Sequence, residues 1–259
     1  MDNKISVSFI YKVVSWIKGK IFWKNSRIIY INSNKKKFNQ SDIDANCNTR
    51  KAAWLVCESN MKLGYKFYRL HFIKMKKKLY DITRNCDDNC NLTYAGFTSP
   101  LFAAYDGYVI GDNRNYTFID IDSNNSKPYR INYKKNYKKI DVKKIVDNEI
   151  NIVYACSFDV NMDLINNNKT FLFDQKSGSK VNKEYLNQIY DFTKSILDKA
   201  NECGVRNINM YICAKQPISF VIGSAIQTYH PTTRIYEYSQ GKYTGCINVQ
   251  KGRLEGKEW

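Results

Sequence analysis

The chain has 259 residues, long enough to bury a sizeable core as one large domain or two small ones. It carries 41 Lys and Arg against 24 Asp and Glu, a formal net charge of +17, which favours a phosphate-bearing partner. Part of this excess is typical of AT-rich coding, which also enriches Asn, Ile and Tyr. The sequence has no apolar run of about 20 residues, which excludes a membrane-spanning helix.

Eight cysteines are present, several of them inside apolar runs such as VYACSF, where a free cysteine behaves as a small hydrophobic residue. No signal peptide precedes them, so we expect a reducing bacterial cytosol and no disulfide framework. Cys86 and Cys90 have a loosely metal-like spacing, but no second pair follows and the chain has only two His. The sequence therefore predicts neither a metal site nor a cofactor.

The N-terminal arm, residues 1–26, has apolar side chains at helical spacing that are interrupted by lysines. This pattern predicts an amphipathic helix packed on the body of the protein or on a partner subunit. A helix lying on a membrane surface is the alternative. The apolar positions are Ile10, Val13, Val14, Ile17 and Ile21.

The region between the arm and residue 122 predicts alternating strands and helices. Strands are expected at 27–34, 65–73, 92–96 and 116–122, a helix at 42–62, a surface excursion at 74–91 and a short apolar helix at 100–110.

The segment 127–145 is basic and interleaved with tyrosine. We interpret it as a solvated linker between two halves of the chain. The same composition is also found in strips that bind single-stranded nucleic acid, which leaves a general nucleic-acid binder as an alternative.

The second half has clearer boundaries, because Gly and Pro punctuate it. Strand, helix, strand, helix and strand follow one another, the order of a Rossmann-like parallel sheet. The strands are predicted at 150–158, 207–214, 233–239 and 243–249, and the helices at 182–204 and 217–229.

The two halves superpose without gaps at an offset of 117 residues. Tyr94 then aligns with Tyr211, and Asp120 aligns with Glu237; Pro100 and Pro217 also coincide. The repeat predicts an α/β protein of two related units with a pseudo-two-fold cleft between them.

The C-terminal run from 214 to 249 resembles the signature of SAVED domains, and the run 94–122 resembles the matching part of that family's first half. The resemblance implies two fused CARF-like Rossmann-type units, here 27–147 and 148–259, with largely parallel sheets. It also implies a sensor for a cyclic oligonucleotide, with a tri- or dinucleotide expected, in anti-phage (CBASS) or type III CRISPR defence. The positions that carry it are Pro217, Ser219, Gly223, His230, Pro231, Tyr236, Glu237 and Tyr243.

SAVED domains are usually fused to an effector, and the 26 residues before the first predicted strand are too few for one. The resemblance therefore implies a separate effector protein or ligand-driven homo-oligomerisation. No catalytic constellation stands out. Cleavage of the bound ring remains an alternative, whereas a metal nuclease would need Asp120 and Glu237 to converge, and the repeat predicts them in separate halves.

The ligand is expected beyond the carboxyl ends of the parallel strands, where helix N-termini favour phosphates. Lys215 and Ser219 are candidate phosphate ligands, Gln216 could read a base edge and Phe158 could stack on a base. The alternatives are a core position for Phe158, a cap for Ser219 and a solvated charge for Lys215. The full set is Phe97, Thr98, Ser99 and Pro100 in the first half, with Ser33 or Asn34 nearby, and Ser157, Phe158, Asp159, Lys215, Gln216, Pro217, Ser219 and Tyr243 in the second.

Overall fold

The structure is a computed structural model, and part of the sequence-based interpretation falls outside the residues it describes. The arm up to residue 25, Ser33, Asn34, Cys86 and Cys90 lie outside them. The described residues are 26–32, 53–58, 65–85, 91–111, 113–239 and 241–256.

The first half of the described chain forms a five-stranded sheet in the order β2-β1-β3-β4-β5. The first four strands of this order run parallel, and β5 pairs antiparallel with β4. The strands are β1 (Ser26–Asn32), β2 (Ala53–Glu58), β3 (Asn91–Phe97), β4 (Tyr116–Ile121) and β5 (Pro128–Tyr133).

The second half forms a six-stranded sheet in the order β11-β10-β9-β8-β6-β7, counted over the described residues. Strands β6 to β9 run parallel, while β10 and β11 add antiparallel pairs at one edge. The strands are β6 (Glu149–Ala155), β7 (Lys169–Phe173), β8 (Asn207–Cys213), β9 (Thr232–Ser239), β10 (Lys242–Asn248) and β11 (Arg253–Glu255).

Four described helices follow the strands in the same positions of each half. A long helix comes after the second strand of each half: α1 (Tyr65–Asn85) in the first half and α3 (Lys183–Glu202) in the second. A short apolar helix comes after the third strand: α2 (Pro100–Ile110) in the first half and α4 (Gln216–Ser224) in the second. The first five strands of each half, β1 to β5 and β6 to β10, are also arranged in the same order within their sheets. The predicted α/β fold and its internal repeat are confirmed.

The two halves meet where α2 and α4 cross, and a glycine lies on each side of the crossing. A Cβ on Gly107 would overlap the backbone carbonyl of Phe220, and a Cβ on Gly223 would overlap that of Ala104. The two contacts are related by one common offset, since Gly107 and Gly223 are 116 residues apart, as are Ala104 and Phe220, one residue fewer than the offset of 117 found in the sequence. The close approach therefore follows the pseudo-two-fold symmetry.

The core is continuous across this crossing. The Phe220 ring of α4 packs on three aromatic rings of the first sheet, with centroid distances of 4.6 Å to Tyr94, 5.0 Å to Tyr116 and 5.3 Å to Phe118. Burial of these rings, together with the helix crossing, fixes the two halves against each other.

Three predictions for the first half were wrong. The predicted helix 42–62 overlaps β2, because a short apolar run is ambiguous between strand and helix. The predicted strand 65–73 and the surface excursion 74–91 are instead a single helix up to Asn85. Phe72, Met75 and Leu79 are buried along one side of it, and the lysine-rich stretch obscured that helical spacing.

The basic segment 127–145 is only partly a linker. Residues 128–133 form β5, which pairs with β4 along its whole length. The predicted boundary between the halves, at 147, lies in the stretch between β5 and β6. In that stretch, alternate backbone N–H groups donate to one face of α3: Asn136 to Asn187 (3.2 Å), Lys138 to Asp191 (2.8 Å) and Ile140 to Ser195 (2.9 Å).

Candidate ligand site at the strand ends

The carboxyl ends of β6 and β8 lie side by side in the second half. The N–H groups of Cys156 and Ser157 both donate to the carbonyl of Cys213, at 3.0 and 2.9 Å. The chain leaves β6 toward β7 and returns to β8 on the other side, so this is the point where the strand order reverses. Open parallel sheets bind their ligands at such a point. The predicted residues 157–159 and 215–217 thus share one edge.

Phe158 lies at this edge with 75% of its surface exposed. A core position is therefore excluded, and the ring is free to contact a ligand. Its neighbour Asp159 forms an ion pair with Lys176 at 2.7 Å, and Lys176 also donates to the carbonyl of Ala155 at 2.8 Å. The carboxylate of Asp159 is thus directed at a lysine of its own half.

Lys215 is the residue just before α4, and its ammonium group lies between the two halves. It donates to the carbonyl of Ser179 at 2.6 Å and lies 3.9 Å from a carboxylate oxygen of Asp120 on β4. Burial raises the pKa of Asp120, while hydrogen bonds from Tyr129 and the backbone and the nearby Lys215 charge oppose the rise. Lys215 is therefore paired with acceptors of the protein itself.

The first turn of α4 contains the other predicted residues of this half. The side-chain nitrogen of Gln216 is buried and has no hydrogen-bond partner among the described residues, whereas Pro217 occupies the first turn. Ser219 is fully buried, and its hydroxyl donates to the carbonyl of Lys215 at 3.1 Å. Ser219 thus bonds its own helix, and Gln216 is the polar side chain here that lacks a partner.

The equivalent edge of the first half contains Phe97, Thr98, Ser99 and Pro100, all half-buried. Ser99 caps α2, with its hydroxyl oxygen accepting the N–H of Phe102 at 3.4 Å. The Ser99 side chain also lies near Glu237 on β9 of the second half. Burial raises the pKa of Glu237 to about 7, and the Ser99 bond opposes that rise.

The two edges are therefore linked by a reciprocal pair of contacts. Ser99 of the first half contacts Glu237 of the second, and Lys215 of the second half lies beside Asp120 of the first. Alignment of the two halves of the sequence identified Asp120 and Glu237 as equivalent positions, but it gave no sign that each faces the opposite half. Over the described ranges, no group of three potential metal-ligating side chains is found.

The side chains of Tyr243 and His230 contact other side chains or the backbone of the second half. Tyr243 is half-buried, its ring 4.7 Å from the centroid of Tyr211, and burial raises its pKa to about 12. His230 lies in the turn before β9, as predicted. Its Nδ1 accepts the N–H of Gln227 at 2.9 Å, so Nε2 carries the proton that is donated to Asp198 at 2.9 Å.

The basic segment 127–145 turns two of its tyrosines inward. Tyr133 is buried, and Tyr137 packs edge-on against Tyr190 with centroids 5.9 Å apart. Stacking of successive bases needs exposed rings, so this arrangement gives no support to a single-stranded nucleic-acid strip. Within the described ranges, no helix combines the length and the apolarity needed to cross a bilayer.

A family profile described as "SMODS-associated and fused to various effectors sensor domain" (SAVED) matches residues 75–249, more than half of the chain. The chain belongs to the SAVED family. This confirms the resemblance seen in the sequence. No curated protein matches the SAVED chain.

Solved structures share the SAVED fold at low identity. The Acinetobacter baumannii Cap4 SAVED/CARF-domain containing receptor with the cyclic trinucleotide 2′3′3′-cAAA has 15% identity and a TM-score of 0.53, covering 91% of this chain and 54% of the receptor. The same receptor with 3′3′3′-cAAA has 16% identity and a TM-score of 0.53, with coverages of 94% and 55%. The chain thus spans about half the length of these receptors.

Proposed function

We propose that this SAVED domain is a sensor that binds a cyclic oligonucleotide, a cyclic tri- or dinucleotide above all, in bacterial anti-phage defence. The observation that carries the proposal is the reciprocal linkage of two strand-end edges across a pseudo-two-fold interface. A ring with repeated phosphates matches a site with repeated helix N-termini. The Acinetobacter receptors, which share the fold, are described with cyclic trinucleotides.

The chemistry of the edge suits such a ligand. The first turns of α2 and α4 direct backbone N–H groups to the edge, and these groups favour phosphate oxygens. Lys215 adds a positive charge at α4, and the exposed ring of Phe158 offers a stacking surface for a base. The unpartnered nitrogen of Gln216 can donate to an acceptor on the ligand.

A sensor must pass its signal on, and we propose that this one acts in the cytosol through a separate effector protein or through ligand-driven self-assembly. The pseudo-repeat supports the second route, because two similar halves in one chain offer complementary surfaces for head-to-tail contacts. Sedimentation with and without a saturating ring distinguishes the routes. A larger particle supports self-assembly, whereas an unchanged particle excludes it, and an unchanged particle with no captured partner protein counts against both routes.

The test is thermal unfolding of the pure protein against a panel of cyclic di-, tri- and tetranucleotides, with linear equivalents as controls. A ring at 100 times its Kd stabilises the folded state by about 2.7 kcal/mol, which raises the melting temperature by several degrees. One ring giving this rise while its linear form does not supports the proposal. Equal effects of linear and cyclic forms, or no effect of any ring, overturn it.

Two variants locate the site once a ring binds. Phe158→Ala removes the stacking surface and is expected to weaken binding by about 1–3 kcal/mol. Val146→Ala removes another exposed apolar side chain, 83% exposed and located before the amino end of β6, the opposite end from Phe158, and is the matched control. Equal affinity of both variants for the ring would exclude Phe158 from the site.

A further inference from the structure

The loop between β7 and α3 places three residues, Gly178, Ser179 and Lys180, directly on the candidate site. We refer to these residues as the gate tip. The carbonyl of Ser179 accepts the ammonium group of Lys215 at 2.6 Å. The charge expected to bind a ligand phosphate therefore contacts the protein's own backbone.

Contacts from the first half hold the gate tip in this position. Ser123, just after β4, donates to the Ser179 carbonyl through its N–H at 3.2 Å and its hydroxyl at 3.4 Å. Lys180 lies 3.5 Å from the carboxylate of Asp122 and 5.7 Å from the centroid of the Tyr129 ring. The Ser179 carbonyl thus receives three donors, two from the first half and one from Lys215.

The residues on either side of the gate tip have backbone hydrogen bonds of their own. The N–H of Ser177 donates to the carbonyl of Cys156 at 2.9 Å. Val181 is buried in the core, and its N–H donates to the hydroxyl of Tyr129 at 2.7 Å. Between these anchors, Gly178 has a φ of +67°, a conformation that glycine adopts without strain, and its side has open space. The tip can therefore move while its flanks stay in place.

From this geometry we propose that the gate tip is an autoinhibitory contact: a ligand phosphate takes Lys215 from the Ser179 carbonyl, and the tip then leaves Ser123 and Lys180 leaves Asp122. The proposal rests on the proposed function, since it concerns the same phosphate position. A phosphate competes well because a charge-assisted hydrogen bond between two ions is stronger than one to a neutral carbonyl. Occupancy of the second half is thereby communicated to the hairpin of β4 and β5 in the first half.

The first experiment measures ligand affinity when the tip is untied from the first half. The double variant Ser123→Ala/Lys180→Ala removes the hydroxyl donor and the ion pair, and is expected to bind the tightest ring of the nucleotide panel about three- to tenfold more tightly. Lys183→Ala is the control, because Lys183 is exposed at the start of α3 and carries the same charge. Loss of a positive charge alone would weaken the binding of an anion, so tighter binding cannot arise from charge.

The second experiment follows three backbone N–H groups by NMR hydrogen exchange, with and without the same ring. The N–H of Ser123 is expected to exchange faster when the ring is bound, while those of Ser177 and Val181 stay unchanged as internal controls. Unchanged or slower exchange at Ser123, or an affinity of the double variant no higher than that of Lys183→Ala, overturns the gate and leaves the sensor function standing. Failure of the wild type to bind any ring overturns both.

Discussion

The burial of Glu237 at the contact between the halves can be tested by measuring the free energy of unfolding at several pH values. Its carboxyl group is buried on β9 beside Ser99, and burial raises its pKa from 4.5 to about 7. A pKa difference of about 2.5 between the unfolded and folded states corresponds to about 3 kcal/mol. The replacement Glu237→Gln keeps the size and a hydrogen-bonding group but removes the ionisation.

The sign of the effect follows from which state binds the proton more tightly. Below pH 4.5 the carboxyl is protonated in both states, and its ionisation costs no stability. Between pH 4.5 and about 7 the unfolded state loses its proton first, so the free energy of unfolding falls as pH rises. Above pH 7 the whole cost of about 3 kcal/mol is present in the wild type and absent in the variant.

The assay is urea unfolding of both proteins at pH 4.5, 6 and 8. The stability gained by Glu237→Gln over the wild type should grow from near zero to about 3 kcal/mol across this range. Glu184→Gln, at an exposed position in the first turn of α3, is the control and should show no such growth. A gain that is the same at all three pH values would mean that the pKa of Glu237 is not raised in the folded protein, and would refute the burial of its carboxyl group.

Three further predictions concern stability. Gly107→Ala and Gly223→Ala should each lower the free energy of unfolding by about 3 kcal/mol or more, because each added Cβ meets backbone at the α2–α4 crossing. The control Gly111→Ala, with open space and a φ of +83°, should cost about 1 kcal/mol. If thermal unfolding ranks the variants in the opposite order, the result contradicts the crossing. Ser195→Ala should cost about 1 kcal/mol in urea unfolding, since it leaves the N–H of Ile140 without its acceptor. Asp198→Ala should lower the free energy of unfolding by about 3 kcal/mol, because Lys194 at 2.6 Å and His230 at 2.9 Å lose a shared acceptor. Asp163→Ala, at an exposed position, is the control. A loss no greater than that of the control would show that the contacts of Asp198 add nothing to stability.

The second half could be predicted from the sequence because its elements have clear ends. The helix expected at 182–204 is α3, with Asn182 as its N-terminal cap and Gly204 just beyond its end. The strand expected at 207–214 is β8. In contrast, α1 begins without a cap residue that the sequence makes obvious and has lysines within its apolar pattern, so its first residues looked like a strand.

The proximity of the residues after β6 and β8 could also be predicted, but their hydrogen-bond and ion-pair partners could not. Parallel strands place their carboxyl ends at one edge, which is why residues after β6 and β8 were identified correctly as neighbours. Lys215 and Asp120 are 95 positions apart in sequence, and Ser179 and Ser123 are 56 apart. Contacts between loops at such separations follow no helical or strand period, so they leave no mark that a single sequence can show.

The reciprocal contacts show what fusion of two units in one chain allows. A dimer of identical units must present the same residue at both equivalent positions, whereas here the N-terminal cap position is Ser99 at α2 and Lys215 at α4. The opposing carboxyl groups differ in the same sense: Glu237 is more deeply buried and meets a hydroxyl, while Asp120 meets an ammonium group. We therefore expect the two edges to bind a symmetric ring unequally, with the Lys215 edge contributing most of the charge-dependent affinity. Raising the salt concentration should then weaken binding by the wild type more steeply than binding by Lys215→Gln, and equal salt slopes would show that Lys215 does not bind a phosphate.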